Sequence, residues 1–199
     1  IHPYWNMSLS SEDNNFAYSY IDPSCLNIII SPCTGYKAFN YRNWPIERYV
    51  QIIKFLSETY KPNILITGGA TDLEYHSAKK MLELSGPGVK NLTGKTSLKQ
   101  LLALIKASSL VICSDSGPAH MATTVGTKVI GLYATSNPFR TGPYNCQTIA
   151  INKYPEAIKR NFNKPVEEIR WGARVRDPQA MNLISVSDVR DRIREVIEN

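Results

Sequence analysis

The stretch that decides the fold runs from residue 109 to residue 125 and reads SLVICSDSGPAHMATTV. Residues 109–113 are mostly apolar and predict a buried strand, whereas residues 118–125 predict a helix. Pro118 suits the first turn of that helix, because the amide hydrogen that proline lacks would have no partner there. The stretch therefore predicts a strand that leads through a short turn into a helix, the repeating unit of α/β folds.

The same alternation extends to both sides of this stretch. In chain order we predict a strand at 27–31, a helix from Pro45, a strand at 64–67, a helix at 71–84, a strand at 89–92, a helix from Ser97, a strand at 129–133 and a helix at 187–197. Short connections favour right-handed crossovers. The predicted fold class is therefore α/β, a Rossmann-like, doubly wound, mostly parallel sheet with helices on both faces.

Two segments depart from this pattern. Residues 1–26 are polar and rich in Asn, Ser, Asp and Pro, with a short helical pattern near residues 12–20. We expect residues 1–26 to be a linker that arrives from a preceding segment, and residues 27–199 to be the folded domain. Residues 145–180 are irregular and contain several prolines, and the sequence assigns them no role.

The charge balance favours an anionic ligand. The 199 residues are 43% apolar and 20% charged, and the net charge is +6, with a pI near 9.1. Such a charge suits nucleotide phosphates or acidic lipid head groups, although a solvated basic surface has the same composition. The basic residues after position 150 are interleaved with acids and prolines, so nucleic-acid binding receives little support. No apolar run approaches the roughly 20 residues that a membrane-spanning helix needs.

Several kinds of chemistry lack their signatures. The four cysteines form no C-x-x-C pair, so neither a zinc site nor a thioredoxin-like pair is predicted, and a reducing, cytoplasmic compartment is expected. The chain contains no G-x-G-x-x-G, Walker A, G-x-S-x-G or H-E-x-x-H sequence. NAD-dependent, kinase, hydrolase and metalloprotease activities therefore receive no support from motifs.

In a doubly wound sheet, ligands bind beyond the carboxyl ends of the strands, where the strand order reverses. This rule selects the loops at 31–43, 68–74, 114–120 and 134–144. A loop over the strand ends that carries Lys37 and Arg42 could close on a diphosphate, or those charges could simply be solvated.

The turn at 114–120 is the richest of these loops. The free amides of the first helical turn, together with the helix dipole, form a site for a phosphate group. Gly117 lets the backbone approach a ligand, and His120 can add a donor to a phosphate oxygen. Asp115 suits sugar hydroxyls or the orientation of a loop. The alternative is that Asp115 and Ser116 merely cap the helix while His120 packs at the surface.

Taken together, these segments resemble glycosyltransferase family 9, the heptosyltransferases. The resemblance is carried by SDSGPAHMATTVGTKVIGLY at 114–133 and NPFRTGPY at 137–144. Upstream, RNWPIERY, ITGG and NLTGKTSLKQL occur in the order and spacing of the family, and MNLISVSDV fits its last helix.

The resemblance implies a GT-B enzyme, in which two Rossmann-like domains face each other across a cleft. This chain would be the C-terminal, donor-binding domain. Members of the family transfer heptose, with inversion, from ADP-L-glycero-D-manno-heptose to the inner core of lipopolysaccharide. The general base would lie in the preceding, acceptor-binding domain, so this chain would contain no catalytic residue and would be inactive alone. Neither a metal nor another cofactor is implied.

The resemblance also implies roles for individual residues. Asp115 would contact the heptose, whereas Ser116, Gly117 and His120 would hold the phosphates, and Ser116 stands where the family more often has threonine. Thr34 and Gly35 would line the other side of the diphosphate.

Two assignments by resemblance are less direct. Glu74 matches the family's ribose-binding acid, with Asp72 as the alternative. Arg42 stands where the family usually has a lysine, which preserves the charge for the phosphates but changes the reach.

The implied setting is the cytoplasmic face of the inner membrane of a Gram-negative bacterium, where the basic excess would help a peripheral approach to acidic lipids. Two alternatives stay open. One is a GT-B donor domain for another nucleotide sugar or for a protein acceptor. The other is a nucleotide-binding module without catalytic activity.

Overall fold

The computed structural model describes residues 5–34 and 40–199, which form a six-stranded sheet with order β3-β2-β1-β4-β5-β6. Every neighbouring pair is parallel. The strands are β1 (Asn27–Ser31), β2 (Asn63–Ile66), β3 (Val89–Asn91), β4 (Leu110–Ser114), β5 (Lys128–Tyr133) and β6 (Ile151–Asn152). This arrangement confirms the predicted fold class, and the two-residue β6 is the strand that the sequence did not predict.

Helices connect the strands and cover both faces of the sheet. They are α1 (Ser11–Tyr18), α2 (Ile46–Thr59), α3 (Asp72–Ser85), α4 (Leu98–Ala107), α5 (Gly117–Val125), α6 (Pro138–Thr141), α7 (Tyr154–Phe162) and α8 (Val186–Glu198), with 3-10 turns at Tyr144–Ile149, Val166–Glu168 and Ala180–Leu183. Capping boxes begin α1, α4 and α8. Each box satisfies amides that a helix start leaves without an intrahelical partner. No helix within the described ranges is long and apolar enough to cross a membrane.

The strands are buried on both faces, which is why they read as apolar runs. In β1, Ile28 and Ile30 join the core under α2 and α8, whereas Ile29 joins the core under α4 and α5. Both cores are therefore set by the alternation along one central strand. The sheet order reverses between β1 and β4, where Ile30 pairs with Ile112 and Ser31 with Cys113. The carboxyl ends of these two strands frame the crevice in which such folds bind ligands.

The N-terminal segment that the sequence predicts to be a linker contains a packed helix. The Ser10 hydroxyl accepts a hydrogen bond from the Asp13 amide, and the Asp13 carboxylate accepts one from the Ser10 amide, so α1 has a defined start. Ala17 is buried in the core under α4. The described part of residues 1–26 thus contributes to the folded domain.

The C-terminal segment forms hydrogen bonds with residues at the start of α2. Trp44 is fully buried, and its indole N–H donates to the Ile184 carbonyl at 2.9 Å. Arg48 donates to the carbonyls of Asn182 and Ile184. The WP sequence at 44–45 and the MNLI sequence at 181–184 therefore contact each other and cover part of one face of the domain.

Candidate functional site

Three loops meet at the crevice between β1 and β4. One follows β1 and reaches Trp44, the second is the turn from β4 into α5, and the third follows β5 at residues 134–137. They correspond to three of the four loops that the sequence selected. The turn after β2, with Glu74, lies one strand further along the same edge of the sheet.

Asp115 is the centre of the hydrogen-bond network in this crevice. It is only 5% exposed, and its Oδ2 accepts hydrogen bonds from the Ser136 hydroxyl at 2.8 Å and the Thr141 hydroxyl at 3.3 Å. Neither contact uses Oδ1. A buried carboxylate requires such partners, since an unpaired one is costly to desolvate. The network joins the end of β4 to the loop after β5 and to α6.

Arg42 reaches the same carboxylate from the loop after β1. Its Nη1 donates to the Asp115 carbonyl oxygen at 2.8 Å and lies 3.8 Å from Oδ2. The sequence assigned Arg42 to phosphates, and in the structure Nη1 contacts Asp115. A guanidinium has five donors, so those outside this pair are the ones that a phosphate could use.

The start of α5 has no side-chain cap. Ser116 occupies the N-cap position, but its hydroxyl donates to the Ser114 carbonyl at 3.0 Å and makes no capping contact. This contradicts the alternative in which Ser116 caps the helix. A Cβ placed on Gly117 would have no atom within 4 Å, and His120 is exposed in the same turn. Pro118 has no amide hydrogen and the Ala119 amide donates to the Ser116 carbonyl at 3.2 Å, which leaves the Gly117 amide and the helix dipole to attract an anion at this helix start.

Thr34 is held by two asparagines that the sequence did not single out. Its amide and hydroxyl both donate to Asn43 Oδ1, at 2.9 and 3.1 Å, and the Asn40 side chain donates to its hydroxyl. Thr34 is buried, and its contacts with Asn40 and Asn43 hold it in place after the end of β1. Gly35 and Lys37, to which the sequence gave roles, lie outside the described residues.

Glu74 folds back over the turn that follows β2. Its two oxygens accept hydrogen bonds from the Gly69 amide at 2.8 Å and the Thr71 hydroxyl at 2.6 Å. A Cβ on Gly69 would lie 2.9 Å from Glu74 Oε2, so a larger residue at position 69 would make the end of the Glu74 side chain shift. Asp72 is exposed at the first position of α3. Of the two candidate ribose ligands, Glu74 is the one that the fold orients.

The network around Asp115 also contains residues that sequence reasoning missed. Ser136 and Thr141 lie in a loop that the parallel-sheet rule selected, yet the sequence gave neither of them a role. Their contacts with Asp115 span 21 and 26 residues of chain. No local pattern predicts such contacts, because they depend on how the ends of β4 and β5 come together.

The cysteines near the site are unreactive. All four are free, and burial raises the pKa of the Cys113 thiol to about 12 and also raises that of Cys33. Both thiols are therefore protonated at neutral pH and are poor nucleophiles. Across residues 5–34 and 40–199, no group of three or more His, Cys, Asp or Glu side chains could hold a metal ion.

The strand order and the crevice define a Rossmann-like domain of the kind found in GT-B glycosyltransferases. The chain belongs to glycosyltransferase family 9, the heptosyltransferase family, whose sequence model matches residues 2–170.

Individual relatives agree with this assignment. OpsX of Haemophilus influenzae, a lipopolysaccharide core heptosyltransferase, is 38% identical over 187 residues, which cover 94% of this chain and 53% of that protein. The chain therefore spans about half the length of this relative.

Two solved structures share the fold. A family 9 glycosyltransferase from Veillonella parvula matches with a TM-score of 0.74 and 23% identity, over 97% of this chain and 54% of that one. The ADP-heptose lipopolysaccharide heptosyltransferase II of Escherichia coli matches with a TM-score of 0.68 and 18% identity, over 96% and 52%.

Proposed function

We propose that this chain is the donor-binding half of an inverting heptosyltransferase that takes heptose from ADP-L-glycero-D-manno-heptose for the lipopolysaccharide core. The observation that carries the proposal is the uncapped start of α5 beside the buried Asp115, at the point where the sheet order reverses. The relatives support the donor and the product, since one is described as a lipopolysaccharide core heptosyltransferase and another as an ADP-heptose enzyme.

The geometry suits the departure of a nucleoside diphosphate. When the glycosidic bond of the donor breaks, negative charge grows on the leaving phosphate. The Gly117 amide and the His120 side chain would stabilise that charge, because they are already oriented before the reaction. Asp115 would accept a hydrogen bond from a heptose hydroxyl through Oδ1, while Ser136 and Thr141 hold Oδ2.

The other side of the donor would be bound by the loops after β1 and β2. Thr34 and Gly35 would line the diphosphate, and Glu74 would accept hydrogen bonds from the ribose hydroxyls. A carboxylate oxygen that already accepts one hydrogen bond retains lone pairs for another. The general base and the lipopolysaccharide acceptor would come with a preceding domain, so the chain alone should bind donor without transferring it.

We further propose that the enzyme acts at the cytoplasmic face of the inner membrane and approaches acidic lipids through its basic surface. A net charge of +6 supports this location. Co-sedimentation with anionic vesicles should fall steeply between 50 and 300 mM salt, roughly as screening shortens the Debye length. Binding that is insensitive to salt would contradict the proposal.

Thermal unfolding with excess ADP, GDP, UDP or CDP tests the donor site. A nucleotide at about 100 times its Kd stabilises a protein by about 2.7 kcal/mol, which is a shift of roughly 5 to 10 °C for a domain of this size. We expect ADP to give the largest shift and His120→Ala to reduce it. Lys106→Ala, at the end of α4 on the opposite edge of the sheet, is the control that should leave the shift intact. Stabilisation by UDP or GDP alone would overturn the donor assignment.

A further inference from the structure

A second cavity opens beside the donor crevice, next to the ends of β5 and β6. Its volume is about 400 Å³, the size of a small-molecule site. Three aromatic rings line it, together with two asparagines and an arginine: Phe139, Tyr154, Trp171, Asn137, Asn152 and Arg170. We call it the aromatic cavity. It lies in the irregular region to which the sequence assigned no role.

Two of the three aromatic rings of this cavity are open to solvent, and the backbone segment that carries one of them is held by hydrogen bonds. Phe139 is 64% and Trp171 61% exposed, although large aromatic side chains are usually buried. The buried Tyr154 donates its hydroxyl to the Ala173 carbonyl at 2.8 Å and so fastens the segment that carries Trp171. The Val175 amide donates to the Thr135 carbonyl at 3.0 Å and fastens the same segment to the end of β5.

The polar groups of the cavity are mainly donors. Asn137 Oδ1 accepts from the Phe139 amide and Asn152 Oδ1 accepts from the Tyr154 amide, both at 3.0 Å. Neither contact uses the NH₂ group of the asparagine, so both NH₂ groups are available to a ligand. Arg170 and one acid, Glu167, both line the cavity. The Arg140 guanidinium lies against Gly172, the neighbour of Trp171, outside the lining residues.

The aromatic cavity and the donor crevice share one wall. Ser136, which bonds Asp115, is the neighbour of Asn137, which lines the cavity. Thr141 donates to both the Asp115 carboxylate and the Asn137 carbonyl. A molecule in the aromatic cavity would therefore sit one loop away from a sugar held by Asp115.

We propose that the aromatic cavity binds one acidic sugar ring of the acceptor saccharide, an inference that rests on the proposed function. The apolar C–H face of a pyranose fits the rings of Trp171 and Phe139, and hydroxyls fit the asparagine NH₂ groups and Glu167. A carboxylate or phosphate on the ring pairs with Arg170, because a guanidinium group binds either anion through two parallel hydrogen bonds. The site makes this half of the enzyme select the acceptor as well as the donor.

Nuclear magnetic resonance titration tests the site. The probes are glucuronate, glucose 6-phosphate and glucose, followed by deacylated lipopolysaccharide core oligosaccharide, with the backbone amide of Gly172 as a reporter that every variant retains. We expect both charged sugars to shift that signal and glucose to bind more weakly. Whichever of glucuronate and glucose 6-phosphate binds more tightly identifies carboxylate or phosphate as the preferred group. Trp171→Ala and Arg170→Ala should each weaken oligosaccharide binding about tenfold.

Phe162→Ala is the matched control, because Phe162 is an exposed aromatic residue of α7 that does not line the cavity. It should bind the oligosaccharide as the unaltered chain does. Unchanged binding in Trp171→Ala, or no binding of any acidic sugar by a chain that ADP still stabilises, would overturn the inference and leave the proposed function standing. Absence of stabilisation by any nucleotide would count against the proposed function instead.

Discussion

Two turns of this domain look alike in sequence but differ in the side-chain hydrogen bonds at the helix starts that follow them. The turn after β2 and the turn after β4 both lead from a buried strand through glycine into a helix. At the first, the N-cap Thr71 and the acid three residues later, Glu74, satisfy the turn internally. At the second, the N-cap Ser116 makes no capping contact and the corresponding position is Ala119. A turn that lacks its own acid is left free to bind the anion of a ligand.

Placing a large side chain in the turn after β4 should have the largest effect, a loss of stabilisation by ADP. Gly117→Leu would place a side chain in the space where the phosphates are expected, at a helix position where leucine is better tolerated than glycine. We expect the ADP-induced stabilisation of about 2.7 kcal/mol to disappear while the unfolding temperature without ligand stays within a few degrees. Gly117→Ala should retain part of the effect. Full stabilisation of the leucine variant by ADP would show that the turn does not hold the phosphates.

Removing the buried carboxylate beside the turn after β4 should come next. Asp115→Ala would leave the Ser136 hydroxyl without its acceptor and would remove the carboxylate beside Arg42, which would keep its hydrogen bond to the backbone carbonyl of residue 115. We expect a loss of about 2 kcal/mol in the free energy of unfolding, less than for a fully buried pair because Arg42 is partly exposed. Urea denaturation measures this loss, and Asp191→Ala, on the exposed face of α8, is the control. An equal effect of the two variants would contradict the structural importance of Asp115.

Removing the Glu74 carboxylate from the turn after β2 should have a smaller effect on the free energy of unfolding. Glu74→Ala removes the acceptor of the Gly69 amide and the Thr71 hydroxyl, and we expect a cost of about 1 kcal/mol. Glu74→Gln keeps one acceptor oxygen in place of the two that the Gly69 amide and the Thr71 hydroxyl use, so it should restore part of that stability. If Glu74 also holds the ribose, Gln at this position should weaken ADP binding while leaving the fold intact. Equal stability of the two variants would indicate that the carboxylate does not cap the turn.

The smallest predicted effect concerns pH at a third helix start. Burial acts to raise the pKa of Asp188, but hydrogen bonds from Ser185 and the charge of Lys153 outweigh it and lower the pKa below the ordinary value. A lowered pKa stabilises the fold above the unfolded-state value near 4 and loses that contribution as the pH falls through the folded-state value. Asp188→Asn should therefore cost about 0.5 kcal/mol at pH 7 and less at pH 3. A cost that does not change with pH would contradict this account.

The sequence was sufficient to predict five of the six strands and most helices, because fully buried parallel strands are apolar runs and helix starts carry recognisable caps. It also located the turn at 114–120 and the acid at Glu74. It did not predict that Arg42 would pair with Asp115, since that contact joins residues 73 positions apart. It did not predict that α1 would pack against α4, because Ala17 is the one apolar residue of α1 that is buried and its neighbours are mostly polar.

The fastening of Trp44 to Ile184 has a consequence for biosynthesis. A growing chain produces β1, α2 and Trp44 early, but the carbonyl that accepts the indole N–H belongs to a residue made 140 positions later. The core around α2 also needs Val189, Ile193 and Val196 of α8. Until α8 has left the ribosome, the core on this face of the sheet therefore stays incomplete. The nascent domain is exposed to chaperones and proteases for almost the whole of its synthesis.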